Sequence, residues 1–128
     1  MTIMTPGDIN ARGVDYADRQ MQIDMYDPVN AITALAGGGQ ANAIAVTKQV
    51  NRVTTVATIA DSIKLPPAVA GMCPIFITNA AANSMNVFPA VGDAINNGAA
   101  NAALAVAGLK TAIFVCAVNG TWNAGALA

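Results

Sequence analysis

The chain has 128 residues, enough for one domain, and it contains no His, no Glu and only two Cys. The side chains that most often transfer protons, attack carbonyl groups or bind transition metals are therefore scarce, so we expect no catalytic, cofactor or metal site. Charged residues make up 10% of the chain, against about 25% in a typical soluble domain. No basic run and no apolar segment of about 20 residues occurs, which argues against nucleic-acid binding and membrane insertion.

The few charges are unevenly distributed along the chain. Residues 1–30 carry five Asp and two Arg, a net charge of −3, whereas residues 31–128 carry four cationic residues and two Asp, a net charge of +2. This shift, followed by a Gly37–Gly39 run, predicts an extended N-terminal arm over 1–30 and a β domain over 31–128. The glycine run is interpreted as a hinge, because the Lys-Ser/Thr of a phosphate loop is missing.

The arm has apolar and aromatic side chains that are candidates for contact with a partner, because such side chains supply most interface energy. They are Tyr16, Met21, Ile23, Met25 and Tyr26. The first residues, MTIMTPGDIN, lack the basic and apolar regions of a secretory signal, so we expect synthesis in a cytoplasm. Cys73 and Cys116 are then expected to be reduced and buried, with a disulfide as the less favoured alternative.

Two strands are predicted at the start of the β domain. Residues 50–59, VNRVTTVATI, are rich in β-branched side chains that suit a pleated strand, with Val53 and Ile59 on the same face. Residues 62–65 alternate Ile63 and Leu65 inward with Lys64 outward, and two prolines end the run.

Two more short strands are predicted over residues 73–79 and 85–89, each bounded by turn residues. The three phenylalanines are expected in the core, and these are Phe76, Phe88 and Phe114. Asp61 and Asp93 are interpreted as caps of turns, with a shared metal site as the alternative.

Asparagine and glycine pairs predict tight turns at 96–98 and 119–120, because both residues tolerate positive φ. The second turn predicts a C-terminal hairpin with Trp122 on its return strand, covering the core. Residues 99–109 are Ala-rich, which favours a helix by propensity. The alternation of Leu104 and Val106 favours a strand, a turn and a strand instead, and the helix remains an alternative.

Residues 113–118 are apolar on both faces of a strand. Such a strand lies inside a sandwich or packs against another subunit, and the low charge favours an oligomer. We therefore expect an all-β fold, a compact antiparallel β-sandwich or barrel of jelly-roll type, assembled as a homotrimer. The candidates for the trimer interface are Phe114, Cys116 and Val118.

Four segments of the chain resemble small head proteins of tailed bacteriophages, of the capsid decoration, cement or head-fibre type. They are DSIKLPPAVAGM (61–72), PIFITN (74–79), MNVFPAVGDAINNGA (85–99) and AGLKTAIFVCAVNGTWNA (107–124). The resemblance covers residues 45–124 and consists of strands and turns rather than a catalytic signature. It implies a β-structured trimer, while residues 1–30 match no known pattern.

The resemblance implies a structural virion protein on the outer capsid surface, whose partners are the major capsid protein and further copies of itself. Such a protein stabilises the shell by bridging capsid subunits. The alternative is a module of a head or tail fibre that binds a host surface or glycan. Trp122 and loops containing Asn83, Asn96 and Asn97 would then supply the binding site.

Overall fold

The computed structural model describes residues 28–126, and within that range the chain is all-β, which confirms the predicted class. No helix among these residues has the length and apolar character needed to cross a membrane. The strands are β1 (Pro28–Thr33), β2 (Ile44–Ala45), β3 (Val50–Thr55), β4 (Ser62–Lys64), β5 (Ile75–Asn79), β6 (Met85–Phe88), β7 (Ala94–Ile95), β8 (Leu104–Val106), β9 (Lys110–Val118) and β10 (Thr121–Ala126).

The strands form two sheets, and the chain passes alternately between them from β1 to β6. The six-stranded sheet has the order β1-β3-β5-β9-β10-β7, and the four-stranded sheet has the order β2-β4-β6-β8. β1, β3 and β5 pair in parallel, as do β2, β4 and β6. Each pass through both sheets therefore stacks on the previous one, in a β-solenoid-like arrangement.

The antiparallel sandwich or barrel that the sequence predicted is wrong for this first half of the body. The loops after β1 to β5 lead the chain to the opposite sheet, so consecutive strands are not hydrogen-bonded neighbours. Strands of the same sheet then meet after a full turn and run in the same direction, as crossover connections require. Antiparallel pairing between strands involves the C-terminal β8 and β9, where β8 pairs with β6 and β9 pairs with β5 and β10. An isolated antiparallel bridge also joins Leu35 and Ser62.

The inner faces of the two sheets share one hydrophobic core. Ile77 and Phe114 of the six-stranded sheet and Ile63 and Val87 of the four-stranded sheet are each fully buried in it. Trp122 completes this core from β10. Alternating side chains bring these residues inward, since successive residues of a strand point to opposite faces.

Three predicted strands begin at the predicted residue, at positions 50, 62 and 85, and the strand predicted over 73–79 begins at Ile75 and ends as predicted at Asn79. The strand predicted over 50–59 ends at Thr55, and Ile59 is 75% exposed in the following loop. Ile63 and Leu65 are buried on either side of the partly exposed Lys64, as the alternation predicted. Pro66 follows and accordingly lies outside the strand.

The turn predictions are confirmed. Asn96 and Asn97 have φ of 54° and 58°, and Gly120 has φ of 82° in the turn between β9 and β10. Residues 99–109 form β8 and a turn rather than a helix. β1 begins at Pro28, inside the range assigned to the arm, and residues 1–27 lie outside the described part of the chain.

Candidate interaction surface

The outer face of the six-stranded sheet carries a row of mostly apolar residues. Residue pairing connects Pro28 to Val50, Val50 to Phe76, Phe76 to Ile113 and Ile113 to Gly125. Directly paired residues lie on the same face of a sheet. These five residues are here called the outer row. They lie side by side on one face of the sheet, one on each of β1, β3, β5, β9 and β10.

The outer row is open to solvent although it is apolar. Val50 is 39% exposed and Phe76 is 37% exposed, while Ile113 is half-buried. A Cβ placed at Gly125 would meet no atom within 4 Å. Contiguous exposed apolar surface is typical of contact regions, so the row is the candidate interaction surface of the described body.

Polar residues border the outer row on one side. Arg52, Thr78 and Thr111 are paired with one another across β3, β5 and β9. On each strand they occupy the next position on the same face as the outer row. The hydroxyl oxygens of Thr78 and Thr111 are 2.9 Å apart and share a hydrogen bond. The Arg52 guanidinium donates to Asn30 Oδ1 at 3.0 Å. On the other side of the row, Val115 is 41% exposed and extends the apolar surface.

The sequence prediction placed Phe76 in the core, and the structure corrects it. Ile75 and Ile77 occupy the inner face of β5, so the alternation turns Phe76 outward. Phe114 is fully buried as predicted, and Phe88 is half-buried. The sequence contained a signal for this outward direction. Thr78 is polar and follows Phe76 by two residues on β5, so the two side chains point to the same face.

The trimer-interface candidates lie on different sides of the body. Phe114 has no exposed surface and Cys116 is 6% exposed, since both belong to the core of the single chain. Val118 is 63% exposed beside the β9–β10 turn, and the assignment of the three residues to a trimer interface stays a prediction. The apolar outward face of β9 belongs instead to Ile113 and Val115.

The arm candidates lie outside the described residues. They are Tyr16, Met21, Ile23, Met25 and Tyr26, and their assignment to partner contacts stays a prediction.

The exposed charges of the described body are cationic. Arg52 and Lys110 are exposed and Lys48 and Lys64 are half-buried, whereas the acidic residues of the body are only Asp61 and Asp93. Lys64 Nζ donates to the Ala41 carbonyl at 3.4 Å. The surface of the body therefore attracts acidic rather than basic partners.

Asp61 is a buried cap of the turn before β4. Its carboxylate accepts from the Thr58 amide at 3.0 Å, the Thr58 hydroxyl at 2.7 Å and the Gly37 amide at 3.2 Å. The Thr58 amide, followed by the Thr58 hydroxyl, holds the pKa of Asp61 below its ordinary value of 3.8, against the opposing effect of desolvation. The carboxylate thus connects the Gly37–Gly39 segment to the turn that contains Thr58.

Asp93 also caps backbone, since its Oδ2 accepts from the Ala68 amide at 2.8 Å. The two aspartates have separate backbone partners, in agreement with their interpretation as turn caps. Among residues 28–126, no group of three or more His, Cys, Asp or Glu side chains comes together as a metal site would require.

A buried and a half-buried asparagine connect the loops at the end of β5. Asn79 Nδ2 donates to the carbonyls of Asn83 at 2.9 Å and Val106 at 3.0 Å, and its Oδ1 accepts from the Ala81 amide at 3.1 Å. Asn83 Nδ2 donates to the Val56 carbonyl at 2.9 Å. Asn79 and Asn83, here called the asparagine cluster, replace secondary-structure hydrogen bonds that these loops lack.

Three of the features that suggested a glycan site form hydrogen bonds within the chain, namely Trp122, Asn83 and Asn96, whereas Asn97 is exposed. Trp122 is fully buried, and its indole N–H donates to the Pro66 carbonyl at 3.3 Å. This confirms its interpretation as a hairpin aromatic of the core. Asn83 lies in the asparagine cluster, and the side chain of Asn96 bonds the Ala124 backbone at 2.7 and 3.1 Å.

A groove of about 630 Å³ lies between successive loops that enter β3 and β5. It is lined by Val46, Thr47, Lys48, Gln49, Pro66, Met72, Cys73 and Ile75. Cys73 is half-buried in its wall and Cys116 is buried in the core, and both thiols are free. The predicted burial therefore applies fully to Cys116 alone.

Comparison with protein-family models, curated proteins and solved structures finds no match to this chain. The resemblance to phage head proteins therefore rests on the amino-acid sequence.

Proposed function

We propose that the protein is a structural virion protein, a capsid decoration or cement protein that binds the outside of a phage head. It stabilises the shell by bridging capsid subunits, and it acts as a homotrimer. The observation that carries the proposal is the outer row, an open apolar surface on a body whose exposed charges are few and cationic. The sequence resemblance over residues 45–124 supplies the particular role.

The body suits a bridging function because this surface lies outside its hydrophobic core. The core between the two sheets holds the large apolar side chains of the inner faces, and the asparagine cluster and Asp61 hold the loops. The outer row contributes little to this core. A surface that the fold does not need is available for contacts between molecules.

The arm supplies the contacts to the major capsid protein in this proposal. Its apolar and aromatic residues, Tyr16, Met21, Ile23, Met25 and Tyr26, are the shell-contact candidates. Interfaces gain most of their energy from a few such side chains. Bound to several shell subunits, a trimer gains stability by mass action from every contact.

The test compares heated phage particles with and without the protein. Particles lacking it should release DNA at a lower temperature than complete particles, and adding back the purified protein should restore the resistance. As a control, protein carrying Val91→Ser should restore the resistance as well as the wild-type protein does, because Val91 is 76% exposed and lies outside the outer row. If DNA release is the same in both particles, the cementing function is wrong.

A binding measurement separates this function from host recognition. Purified protein should bind empty shells and not host cells or their glycans. Sedimentation of the free protein tests the trimer, and a monomer at all concentrations would contradict that part of the proposal.

A further inference from the structure

We infer that Asn97 is a site of spontaneous covalent modification, at which the side-chain amide of the folded protein is converted to a carboxylate. The inference goes beyond the proposed function, because the reaction needs only water and proceeds with or without a shell. It comes from a comparison of the two Asn-Gly pairs of the chain, Asn97-Gly98 and Asn119-Gly120. The pairs are alike in sequence but differ in their surroundings.

The reaction joins an asparagine side chain to the backbone nitrogen of the next residue. The Gly98 nitrogen gives up its proton and attacks Cγ of Asn97, so that a new C–N bond closes a succinimide ring. The side-chain nitrogen takes up a proton and leaves as ammonia. Water then adds to either ring carbonyl and opens the ring, which gives aspartate or isoaspartate. Glycine favours the attack because it has no Cβ and restricts the backbone least.

Asn97 lies exposed in a turn at the border of the six-stranded sheet. The Gly98 amide donates to the Ile95 carbonyl at 3.0 Å and closes the turn. Within residues 28–126, the Asn97 carboxamide has no hydrogen-bond partner. The turn follows β7, which has two residues and is the last strand of the sheet. Such short edge elements open locally at a low free-energy cost.

The Asn119 carboxamide is held by a neighbouring loop instead. Its Oδ1 accepts from the Ala70 amide at 2.8 Å, and the Gly120 amide donates to the Ala68 carbonyl at 2.9 Å. This pair joins β9, which has nine residues, to β10, which has six. Both glycine nitrogens are hydrogen-bonded, so the two pairs differ in the carboxamide and in the strands that carry them.

This difference determines which pair reacts. Cyclisation requires the turn to open and the carboxamide to swing onto the following nitrogen, and the rate follows the population of that open form. At position 119 the carboxamide must also leave the Ala70 amide, and loss of one such bond lowers this population about two- to tenfold. The longer hairpin lowers it further. We therefore expect Asn97 to react at least about fivefold faster than Asn119.

The modification would act on the connection between β7 and β10. The Asn96 amide donates to the Trp122 carbonyl at 2.8 Å, and the Asn96 carboxamide bonds the Ala124 backbone at 2.7 and 3.1 Å. Conversion at Asn97 adds a negative charge next to these bonds, and isoaspartate also lengthens the main chain there. The edge of the sheet and the charge of the body therefore change as the protein ages.

The test is the ageing of the full-length protein at mildly alkaline pH, followed by brief tryptic digestion and mass spectrometry. Trypsin cleaves after Lys64 and Lys110, so the two pairs fall in different peptides. The mass increase that accompanies replacement of the amide nitrogen by oxygen should appear at Asn97 at least about fivefold faster than at Asn119. Absence of conversion at Asn97, or equal rates at the two positions, overturns the inference.

Ala70→Pro tests the cause of the difference, because it removes the amide that holds Asn119. The turn over residues 69–72 is closed by a backbone hydrogen bond of 3.2 Å and has Gly71 at φ of 82°. This is the geometry of a type II turn, which favours proline at position 70. Conversion at Asn119 should rise about two- to tenfold, with that at Asn97 unchanged. An unchanged rate at Asn119 contradicts the inference.

Two controls separate the effect of structure from that of sequence. Asn97→Gln should abolish conversion at this position without affecting Asn119, because glutamine would have to close a larger ring. In concentrated guanidinium chloride the chain is unfolded, so the two Asn-Gly pairs should convert at similar rates. A preference for Asn97 that persists in the unfolded chain would mean that the fold does not select the site, and the inference would be wrong.

Discussion

The asparagine cluster and the outer row distribute polarity in opposite ways. At the end of β5, polar Asn79 is fully buried and is bonded to the backbone of the β5–β6 loop and of β8. On the opposite side of the six-stranded sheet, apolar Phe76 and Val50 are open to solvent. The buried polar group thus holds the fold, while these exposed apolar residues lie outside its hydrophobic core. Stability and surface function are assigned to different residues.

The largest expected effect separates two neighbours on β9. Phe114→Ala should lower the free energy of unfolding by about 3 to 5 kcal/mol, because it opens a cavity in the core. Val115→Thr, one residue later on the outer face, should change it by less than about 0.5 kcal/mol. Urea unfolding measures both. Similar losses in the two variants would mean that the outer face is part of the folding core.

Asn79→Ala should lower the free energy of unfolding by about 2 to 4 kcal/mol. The change leaves several buried backbone groups unpaired, each at a cost of about 1 to 3 kcal/mol. Asn123→Ala, at an exposed position of β10, is the control and should be nearly neutral. Thermal unfolding of both variants makes the comparison, and equal stabilities would contradict the importance of the asparagine cluster.

Acid should weaken the loops through Asp61, because its pKa in the folded protein is lower than 3.8. The unfolded chain then binds the proton more readily, so the stabilisation is complete above the ordinary pKa and is lost as pH falls through the lowered value. Asp61→Asn should be less stable than wild type at neutral pH, and the difference should shrink in this acidic range. Urea unfolding at a series of pH values tests it. A stability difference between wild type and Asp61→Asn that does not vary with pH would contradict the stabilising role of the ionised Asp61 carboxylate.

The smallest expected effect concerns the border of the outer row. Thr78→Val removes one cross-strand hydrogen bond and should cost about 0.2 to 1 kcal/mol. A double-mutant cycle with Thr111→Val isolates the coupling between the two hydroxyls. A larger coupling would show that the outer face is more important for the fold than its exposure indicates.

The positions of β3 to β6 and of β8 to β10 could be predicted from the sequence because local chemistry determines them, whereas β1, β2 and β7 were not predicted. β-branched runs, the prolines after β4 and the Asn-Gly turns are all local signals. The strand choice for residues 99–109 was also correct, because the alternation of Leu104 and Val106 outweighed the helix propensity of alanine.

The pairing of the strands and the direction of Phe76 could not be predicted in the same way. Parallel pairing of β1 with β3 and β5 depends on loops that lead to the other sheet, and no local signal specifies where such a loop leads. On β5 both Phe76 and Ile77 are large and apolar, so hydrophobicity alone does not tell which of the two enters the core. Recognising Thr78 as a marker of the outward face would have assigned the outer row.

The first strand also limits how copies of this protein can associate. β1 is the edge of the six-stranded sheet in the described chain, and edges are the usual sites where sheets extend into fibrils. Pro28 has no amide hydrogen to donate, and Ala31 has φ of 70° where the pairing with β3 shifts register. An irregular edge is a poor template for a further strand. The β1 edge therefore lies beside the open apolar surface without offering a regular template for a further strand.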